Sequence, residues 1–262
     1  MKLQRDDQNL FSGHTQVISA VILAAGVGNR LGAAAANEPK ILLEIGGKTL
    51  LERHFSALRA HGIVDVTMTI GYEGDEIRRA VDKLGLGGRI RFVENARYRE
   101  GSIVSLWAQH HHLQSGAATL VMDGDVLYDH RMIGRLLAAP AENVLLIDRN
   151  IEPGDEPVKI CFRDDVIVDF RKKPEHAHDW HGESVGFFRF SPTMSRALAE
   201  RCAWYVDQGH TNLEYEEAIR DLILEYPRQF GAEDISDLPW VEIDFESDVS
   251  RARQDVLPQL EA

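Results

Sequence analysis

The feature that most constrains the fold is an apolar run that leads directly into a glycine-rich loop. The segment VISAVILA (17–24) is apolar and contains several β-branched residues, which is typical of a strand buried on both faces of a sheet. The sequence AAGVGNRLG (24–32) continues from it without a break. Glycine permits positive φ and a close approach to the backbone, as a loop that cradles phosphate requires. We therefore expect an α/β domain with a phosphate-binding loop after its first strand.

Downstream, apolar runs alternate with helical patterns, as in other α/β domains. Strands are predicted at 64–72, 90–95, 117–125, 143–148, 158–162, 166–170, 184–190 and 240–244. Helices are predicted at 50–58, 74–84, 102–114, 192–209 and 213–225, with a last helix near the end of the chain. No long helix separates the strands between 158 and 190, so this part is expected to be antiparallel. The pattern predicts one domain at 17–262, with a mostly parallel central sheet, helices on both faces and an insertion at about 150–190. A polar extension at 1–16 precedes it.

Charge and cysteine content exclude several classes of protein. The chain has 29 Lys and Arg against 42 Asp and Glu, a net charge of −13, which opposes nucleic acid or anionic lipid as a general partner. A small phosphorylated ligand in a locally basic pocket remains compatible with this charge. Two cysteines, Cys161 and Cys202, exclude a disulfide scaffold and a four-cysteine zinc site. Because no signal-like or membrane-length apolar run occurs, we expect a cytoplasmic protein.

The glycine loop does not match the common nucleotide-binding fingerprints. In a G-x-G-x-x-G dinucleotide loop the third glycine would be residue 31, which is Leu31, and no G-K-[ST] completes a P-loop. The loop carries Arg30, and Pro39 and Lys40 follow about ten residues later. Two cations near one glycine loop suit a triphosphate, whose charge must be neutralised. A simple glycine turn with a surface Arg and Lys is the alternative.

These residues carry a family resemblance. The sequences LAAGVGNRLG (23–32) and PKILLEIGGKTLLE (39–52) resemble the N-terminal signature of the nucleotidyltransferases that activate sugar phosphates and phospho-alcohols. The similarity continues through VTMTIGY (66–72), the D-G-D segment at 123–125 and the E-I-D segment at 242–244. It implies a three-layer α/β/α Rossmann-like nucleotidyltransferase fold with a small antiparallel insertion. Among these enzymes the chain is most similar to the short CTP-dependent cytidylyltransferases that act on phosphocholine, 2-aminoethylphosphonate or inositol 1-phosphate.

Two acidic clusters follow predicted strands. Asp123 and Asp125 end one strand, and Glu242 and Asp244 end the last one. Ligands of open α/β sheets bind at this edge, and carboxylates from two strands suit Mg²⁺ bound to nucleotide phosphate. Aspartates that only end strands and cap helices are the alternative. The resemblance implies that Asp125 and Asp244 hold Mg²⁺ and that Asp123 belongs to the nucleotide site.

The resemblance also assigns the remaining site residues. It implies nucleotide contacts from Leu23, Ala24, Ala25, Gly26, Gly28, Asn95, Gly101 and Ser102. Arg30 would stabilise the departing pyrophosphate, Lys40 would hold the triphosphate and Lys172 would guide the acceptor phosphate. Lys159, Tyr215 and Glu216 would complete the acceptor pocket, where ring faces and a carboxylate suit an ammonium head group. For Ser102 the alternative is an N-cap of the following helix.

The resulting hypothesis is an enzyme that transfers CMP from CTP to a small phosphorylated or phosphonylated alcohol and releases pyrophosphate. The resemblance favours phosphocholine or 2-aminoethylphosphonate, with inositol 1-phosphate close behind. Neither nucleic acid nor a membrane is an expected partner, and the sequence leaves a homodimer open. One alternative is a sugar-1-phosphate uridylyl- or thymidylyltransferase. Another is a silent nucleotide-sensing regulatory subunit, which would be expected to have lost Arg30, Lys40 or the carboxylates; all are present.

Overall fold

The computed structural model describes residues 17–28, 30–31, 38–151 and 154–260. The strands are β1 (Ile18–Ala24), β2 (Glu44–Ile45), β3 (Lys48–Thr49), β4 (Asp65–Ile70), β5 (Ile90–Glu94), β6 (Ala118–Asp123), β7 (Val126–Tyr128), β8 (Asn143–Asp148), β9 (Lys159–Arg163), β10 (Val166–Arg171), β11 (Trp180–Phe190), β12 (Phe230–Asp234) and β13 (Trp240–Glu242). The α-helices are α1 (Leu50–Ala60), α2 (Gly74–Lys83), α3 (Ser102–Trp107), α4 (His110–Leu113), α5 (Arg131–Ala138), α6 (Pro192–Asp207), α7 (Glu216–Glu225) and α8 (Glu246–Arg251). The expected extension at 1–16 lies outside the described residues.

The central sheet has a parallel core with antiparallel strands added at one side. Strands β5, β4, β1 and β6 lie side by side and are all parallel. The long strand β11 is antiparallel to β6, β8 and β9, and β10 is antiparallel to β9. Strand β12 is parallel to β8. The mostly parallel central sheet is therefore confirmed, and antiparallel strands are found in the region where the sequence predicts them.

Helices cover both faces of this sheet. In β1, the buried Ala20 and Ile22 face the core beneath α1, α2 and α5, whereas Val21 faces the core beneath α3, α4, α6 and α7. Burial of successive residues on opposite faces explains why the β1 sequence is continuously apolar rather than alternating. The three-layer α/β/α arrangement follows from this double burial. None of the helices in the described part of the chain is long and apolar enough to cross a membrane.

Several elements differ from the sequence-based expectation. The single helix predicted at 102–114 is wrong, because it is divided into α3 and α4 at a turn where the buried Gln109 amide donates to Thr69 Oγ1 at 2.8 Å. The sequence patterns also miss β7, α5 and β12. Of these, β7 bears on the site, because its antiparallel pairing with β13 brings two acidic segments together.

Candidate active site

The glycine loop lies at the carboxyl end of β1, where the parallel strands of the core also end. Gly28 has φ of +64°, a conformation that other residues rarely adopt, and its carbonyl accepts from Leu31 N at 3.1 Å. The backbone at Leu23 and Ala25 accepts from Gly124 N at 2.9 Å and from Tyr72 N at 3.1 Å. These bonds fix the loop between the ends of β4 and β6, so its backbone faces the sheet edge at which ligands bind.

Two adjoining cavities, of about 600 and 460 Å³, open at this edge. Of the residues predicted for the site, the larger cavity is lined by Leu23, Ala25, Gly26, Arg30, Ser102, Asp123, Asp125, Lys172, Tyr215, Glu216 and Asp244. The smaller cavity adds Ala24, Gly28 and Lys40. The fold therefore brings together most of the predicted residues, although they come from segments far apart in the chain.

Three carboxylates meet where β7 and β13 pair. Val126 lies opposite Glu242, and Ile243 N donates to the carbonyl of Asp125 at 3.0 Å. As a result, Asp125, Glu242 and Asp244 each offer an oxygen within 4.8 Å of the others. Enclosure by the cavity walls, together with the charges of Asp125 and Asp244, raises the pKa of Glu242. Hard oxygen donors from two segments fit a divalent cation such as Mg²⁺.

Lys40 lies between two of these carboxylates. Its ammonium donates to Asp125 Oδ2 at 2.8 Å and to Asp244 Oδ1 at 2.5 Å. Burial by itself would lower the pKa of Lys40, but the two adjacent negative charges outweigh burial and raise that pKa. The lysine is therefore a fixed cation at the carboxylate cluster.

Two further cations face the larger cavity. Lys172 Nζ donates to Glu156 Oε2 at 3.1 Å, and Arg30 Nη1 lies 3.6 Å from the same oxygen. Arg30 Nη1 is also 3.7 Å from Asp244 Oδ2, and its guanidinium lies 5.5 Å from the centre of the Phe245 ring. Both side chains are about half exposed, so they can contact a ligand that enters the cavity.

Asp123 is held by the protein on two sides. Tyr215 Oη donates to Asp123 Oδ2 at 2.7 Å. Gly186 has φ of +76° within β11, and a Cβ there would lie 2.2 Å from Asp123 Oδ2. Burial, followed by the charge of Asp125, raises the pKa of Asp123. Gly186 therefore belongs to the site, although it is not among the residues predicted for it.

Carboxyl groups outside the carboxylate cluster also line the larger cavity. Burial raises the pKa of Glu216 to about 7, and its Oε2 has no hydrogen-bond partner among the described residues. Burial and the charge of Asp148 raise the pKa of Glu183 to about 7. This part of the cavity wall, which we call the acidic wall, consists of Glu183, Glu216 and Asp123. A cationic group is the ligand that such a wall favours.

Ser102 connects the middle segment to the start of α7. Its hydroxyl donates to Glu214 Oε2 at 2.6 Å and accepts from Tyr215 N at 2.9 Å. The alternative of Ser102 as an N-cap is wrong, because the N-cap of α3 is Gly101 and no side chain caps that helix.

Three predicted residues do not line either cavity. Asn95 is buried, donating from Nδ2 to Ser105 Oγ at 3.0 Å and accepting from Arg97 N at 2.9 Å. At Gly101 a Cβ would lie 2.1 Å from the carbonyl oxygen of Leu213, so close packing accounts for this glycine. The ammonium of Lys159 donates to backbone carbonyls, at 3.0 Å in the shortest case. These three residues support the walls of the site from outside the cavities.

A parallel α/β sheet with a glycine loop, cations and a carboxylate cluster at one edge defines a nucleotide-binding α/β protein. Residues 20–182 match the MobA-like NTP transferase domain, and the chain belongs to this family of nucleotidyltransferases. The match begins within β1 and ends within β11, so it includes the glycine loop, Lys40 and Asp125. Enzymes of this family usually use a divalent metal ion.

Individual relatives are cytidylyltransferases. The chain is 25% identical over 245 residues to CMP-5'-(3-aminopropyl)phosphonate synthase of Streptomyces rubellomurinus, an alignment that covers 90% of this chain and 38% of the relative. It is 23% identical over 252 residues to CTP:phosphoglutamine cytidylyltransferase of Campylobacter jejuni, covering 88% of this chain and 98% of that one. The solved structure of CTP:phosphocholine cytidylyltransferase from Streptococcus pneumoniae has a TM-score of 0.70 at 20% identity, covering 90% of this chain and 98% of that structure. This structural likeness confirms the fold.

Proposed function

We propose that the protein is a CTP-dependent cytidylyltransferase that acts on a small phosphorylated or phosphonylated alcohol with a cationic head group. The observation that carries this proposal is that two kinds of charged side chain line the adjoining cavities. Arg30, Lys40 and a carboxylate cluster suit a triphosphate and its metal ion. The acidic wall also lines the larger cavity and suits a cation. The cytidylyltransferase activity of the relatives supports the choice of nucleotide.

In the proposed reaction an acceptor oxygen attacks the α-phosphorus of CTP. A new P–O bond forms while the bond between the α-phosphorus and the bridging oxygen breaks, and pyrophosphate leaves with that oxygen. A phosphate monoester with a second pKa near 6 is largely dianionic at pH 7, so the attack needs no general base. This agrees with the composition of the two cavities, in which no histidine lines the described walls. Catalysis would depend on positioning and charge neutralisation.

The cations divide this work between the two phosphate groups. The backbone at Gly26 and Gly28 would cradle the triphosphate, with Arg30 stabilising the charge that develops on the departing pyrophosphate. Lys40 would pair with the triphosphate. Lys172 lines the larger cavity but not the smaller one and would hold the acceptor phosphate, because a flexible ammonium can follow a moving phosphoryl group.

Asp125, Glu242 and Asp244 are the residues that would hold Mg²⁺. When bound there, Mg²⁺ would neutralise charge on the nucleotide phosphates. Asp125 and Asp244 are the pair assigned from the sequence, and Glu242 joins them because β13 pairs with β7.

The acidic wall favours an acceptor that carries a nitrogen cation. An ammonium group beside Glu216 would give a direct ionic partner to a carboxyl whose Oε2 has no hydrogen-bond partner among the described residues. The Streptomyces relative is named for a phosphonate with an aminopropyl group, which supports the same chemistry. Phosphocholine and 2-aminoethylphosphonate meet this requirement, whereas inositol 1-phosphate and glucose 1-phosphate offer no cation.

Pyrophosphate release with Mg²⁺ tests the proposal. CTP, UTP, ATP and dTTP are each combined with phosphocholine, phosphoethanolamine, 2-aminoethylphosphonate, inositol 1-phosphate, glycerol phosphate and glucose 1-phosphate. We expect release with CTP and a nitrogen-bearing acceptor. Release only with glucose 1-phosphate and UTP or dTTP would instead indicate a sugar-nucleotide enzyme. Tight CTP binding without any release would indicate a regulatory protein.

A further inference from the structure

Lys40 has a backbone held in a turn and a flexible side chain that carries the ammonium. Lys40 begins a tight turn after Pro39, in which Leu42 N donates to Pro39 O at 2.8 Å and Leu43 N donates to Lys40 O at 3.0 Å. The methylene stem passes the glycine loop, since a Cβ on Gly28 would lie 3.2 Å from Lys40 Cγ. A rotation about the four side-chain bonds can therefore redirect the ammonium without a change in the backbone.

The present position of the ammonium uses the oxygens that a metal ion would need. It bonds to one oxygen of Asp125 and one of Asp244, and these two residues belong to the carboxylate cluster. The second oxygen of Asp244 lies 3.7 Å from Arg30 Nη1. Two cations on the same facing oxygens would repel each other at short range. Lys40 and a divalent ion are therefore competitors for these carboxylates.

The phosphate loop offers the alternative partner for Lys40. Lys40 lines the smaller cavity together with Gly26 and Gly28, whose backbone forms the proposed triphosphate cradle. A triphosphate in this cavity would bring several negative charges within reach of the ammonium. The lysine could then leave the carboxylates without losing an ionic partner, which it could not do in the absence of the phosphates.

We propose that Lys40 is an exchangeable counter-ion, which holds Asp125 and Asp244 together in the nucleotide-free protein and passes to the triphosphate when a divalent ion takes the carboxylates. This inference rests on the proposed triphosphate site. It makes Lys40 a positioning residue for the metal site as well as a phosphate ligand. Its consequence is that the free protein binds divalent ions weakly and that metal ion and nucleotide bind together.

Binding of Mn²⁺ alone, measured by electron paramagnetic resonance and without nucleotide, tests the exchange directly. Lys40→Met removes the charge and is expected to bind Mn²⁺ about tenfold more tightly than the natural protein. Lys40→Gln, a second neutral variant, is expected to tighten binding as well. If one of the two variants fails to fold, the other still provides the comparison. Lys40→Arg keeps the charge and should bind Mn²⁺ as weakly as the natural protein. Lys48→Met, at an exposed lysine of β3, is the matched control and should change nothing.

Water-proton relaxation with Mn²⁺ extends the test to the phosphates. Adding CTP or inorganic tripolyphosphate should raise the amount of protein-bound Mn²⁺ in the natural protein and raise it less in Lys40→Met. Unchanged Mn²⁺ affinity in both neutral variants would overturn the exchange. That result is distinguishable from failure of the proposed function, because the metal-only comparison contains no nucleotide and the tripolyphosphate arm does not depend on the base.

Discussion

The charged side chains beside the glycine loop and those of the acidic wall differ in how they are paired within the protein. At the glycine-loop end the charged groups are paired within the protein: Lys40 bonds to Asp125 and Asp244, and Arg30 and Lys172 lie beside Glu156. At the acidic wall, Glu216 is half-buried, and its Oε2 is inaccessible and has no hydrogen-bond partner among the described residues. A paired set of charges can exchange partners when a ligand arrives. A buried carboxyl oxygen without a hydrogen-bond partner, in contrast, favours a ligand that brings a cationic group to it.

The largest expected effect comes from removing a carboxylate that pairs with Lys40 beside the glycine loop. Asp125→Ala removes one of the three clustered carboxylates and one partner of Lys40, so we expect kcat to fall about 10³-fold. Pyrophosphate release with CTP and phosphocholine measures this effect. Asp207→Ala, at the exposed end of α6, is the control and should leave the rate unchanged. Near-normal activity of Asp125→Ala would remove the carboxylate cluster from the reaction.

Lys172→Met separates the acceptor phosphate from the nucleotide. We expect kcat/KM for the acceptor to fall about 10²-fold with little change in the KM for CTP, because Lys172 lines the larger cavity and not the smaller one, which Lys40 and the glycine loop line. Steady-state kinetics with each substrate varied in turn provide the measurement. The neighbouring Lys173 pairs with Asp155 and is three-quarters exposed, so Lys173→Met is a matched control. An equal loss in both variants would contradict a specific role for Lys172.

Glu216→Gln tests the role of the acidic wall. We expect kcat/KM for phosphocholine to fall about tenfold, because the carboxylate that faces the cation is lost, while kcat/KM for inositol 1-phosphate stays nearly the same. Glu225→Gln, at the far end of the same helix, should affect neither acceptor. A parallel loss for both acceptors would mean that Glu216 only supports the fold of the pocket.

The kcat/KM for phosphocholine should depend on pH through the ionisation of Glu216. Its pKa of about 7 means that the carboxyl is mostly ionised at pH 8 and mostly protonated at pH 6. The advantage of the natural protein over Glu216→Gln with phosphocholine should therefore shrink several-fold as pH falls from 8 to 6. Taking the ratio of the two proteins removes the contribution of the acceptor's own phosphate, since both use the same acceptor. A ratio that is constant with pH would disagree with this assignment.

The last prediction concerns stability rather than rate. The pKa of Glu216 is raised from 4.5 to about 7, so the folded state holds this proton more tightly than the unfolded state. That contribution to stability is fully present below pH 4.5 and is lost as pH rises through 7. At pH 8 Glu216→Gln should therefore exceed the natural protein in free energy of unfolding by up to about 3 kcal/mol, and the difference should shrink towards pH 5. Urea unfolding at the two pH values checks this.

Local patterns in the sequence predict the parallel core well. Burial on both faces produces a continuous apolar run in β1, and β6, which is parallel to β1, brings Asp123 and Asp125 to the edge at which ligands bind. The family resemblance, rather than the strand pattern, pairs Asp125 with Asp244, which follows β13 outside the parallel sheet. The short elements β7 and β12 escape prediction because three to five residues carry too little periodicity. Pairing of β7 with β13 is what adds Glu242 to the cluster.

Side-chain partners between distant segments are the part that the sequence does not reveal. Asn95 donates to Ser105 of α3 and accepts from Arg97 N, and Lys159 donates to backbone carbonyls, so both residues remain outside the cavities. The position of Lys40 between two aspartates depends on residues 85 and 204 positions away. Gly186 matters only because Asp123 lies against it. Each of these depends on tertiary contacts that local sequence patterns do not encode.

The most direct test of the central claim is a competition in a single reaction. The protein is incubated with CTP, Mg²⁺ and equimolar phosphocholine, 2-aminoethylphosphonate, inositol 1-phosphate and glucose 1-phosphate, and the CMP adducts are identified by mass spectrometry. The acidic wall predicts that adducts form with the nitrogen-bearing acceptors, with one pyrophosphate released for each adduct. Adducts of inositol 1-phosphate or glucose 1-phosphate alone would contradict the account.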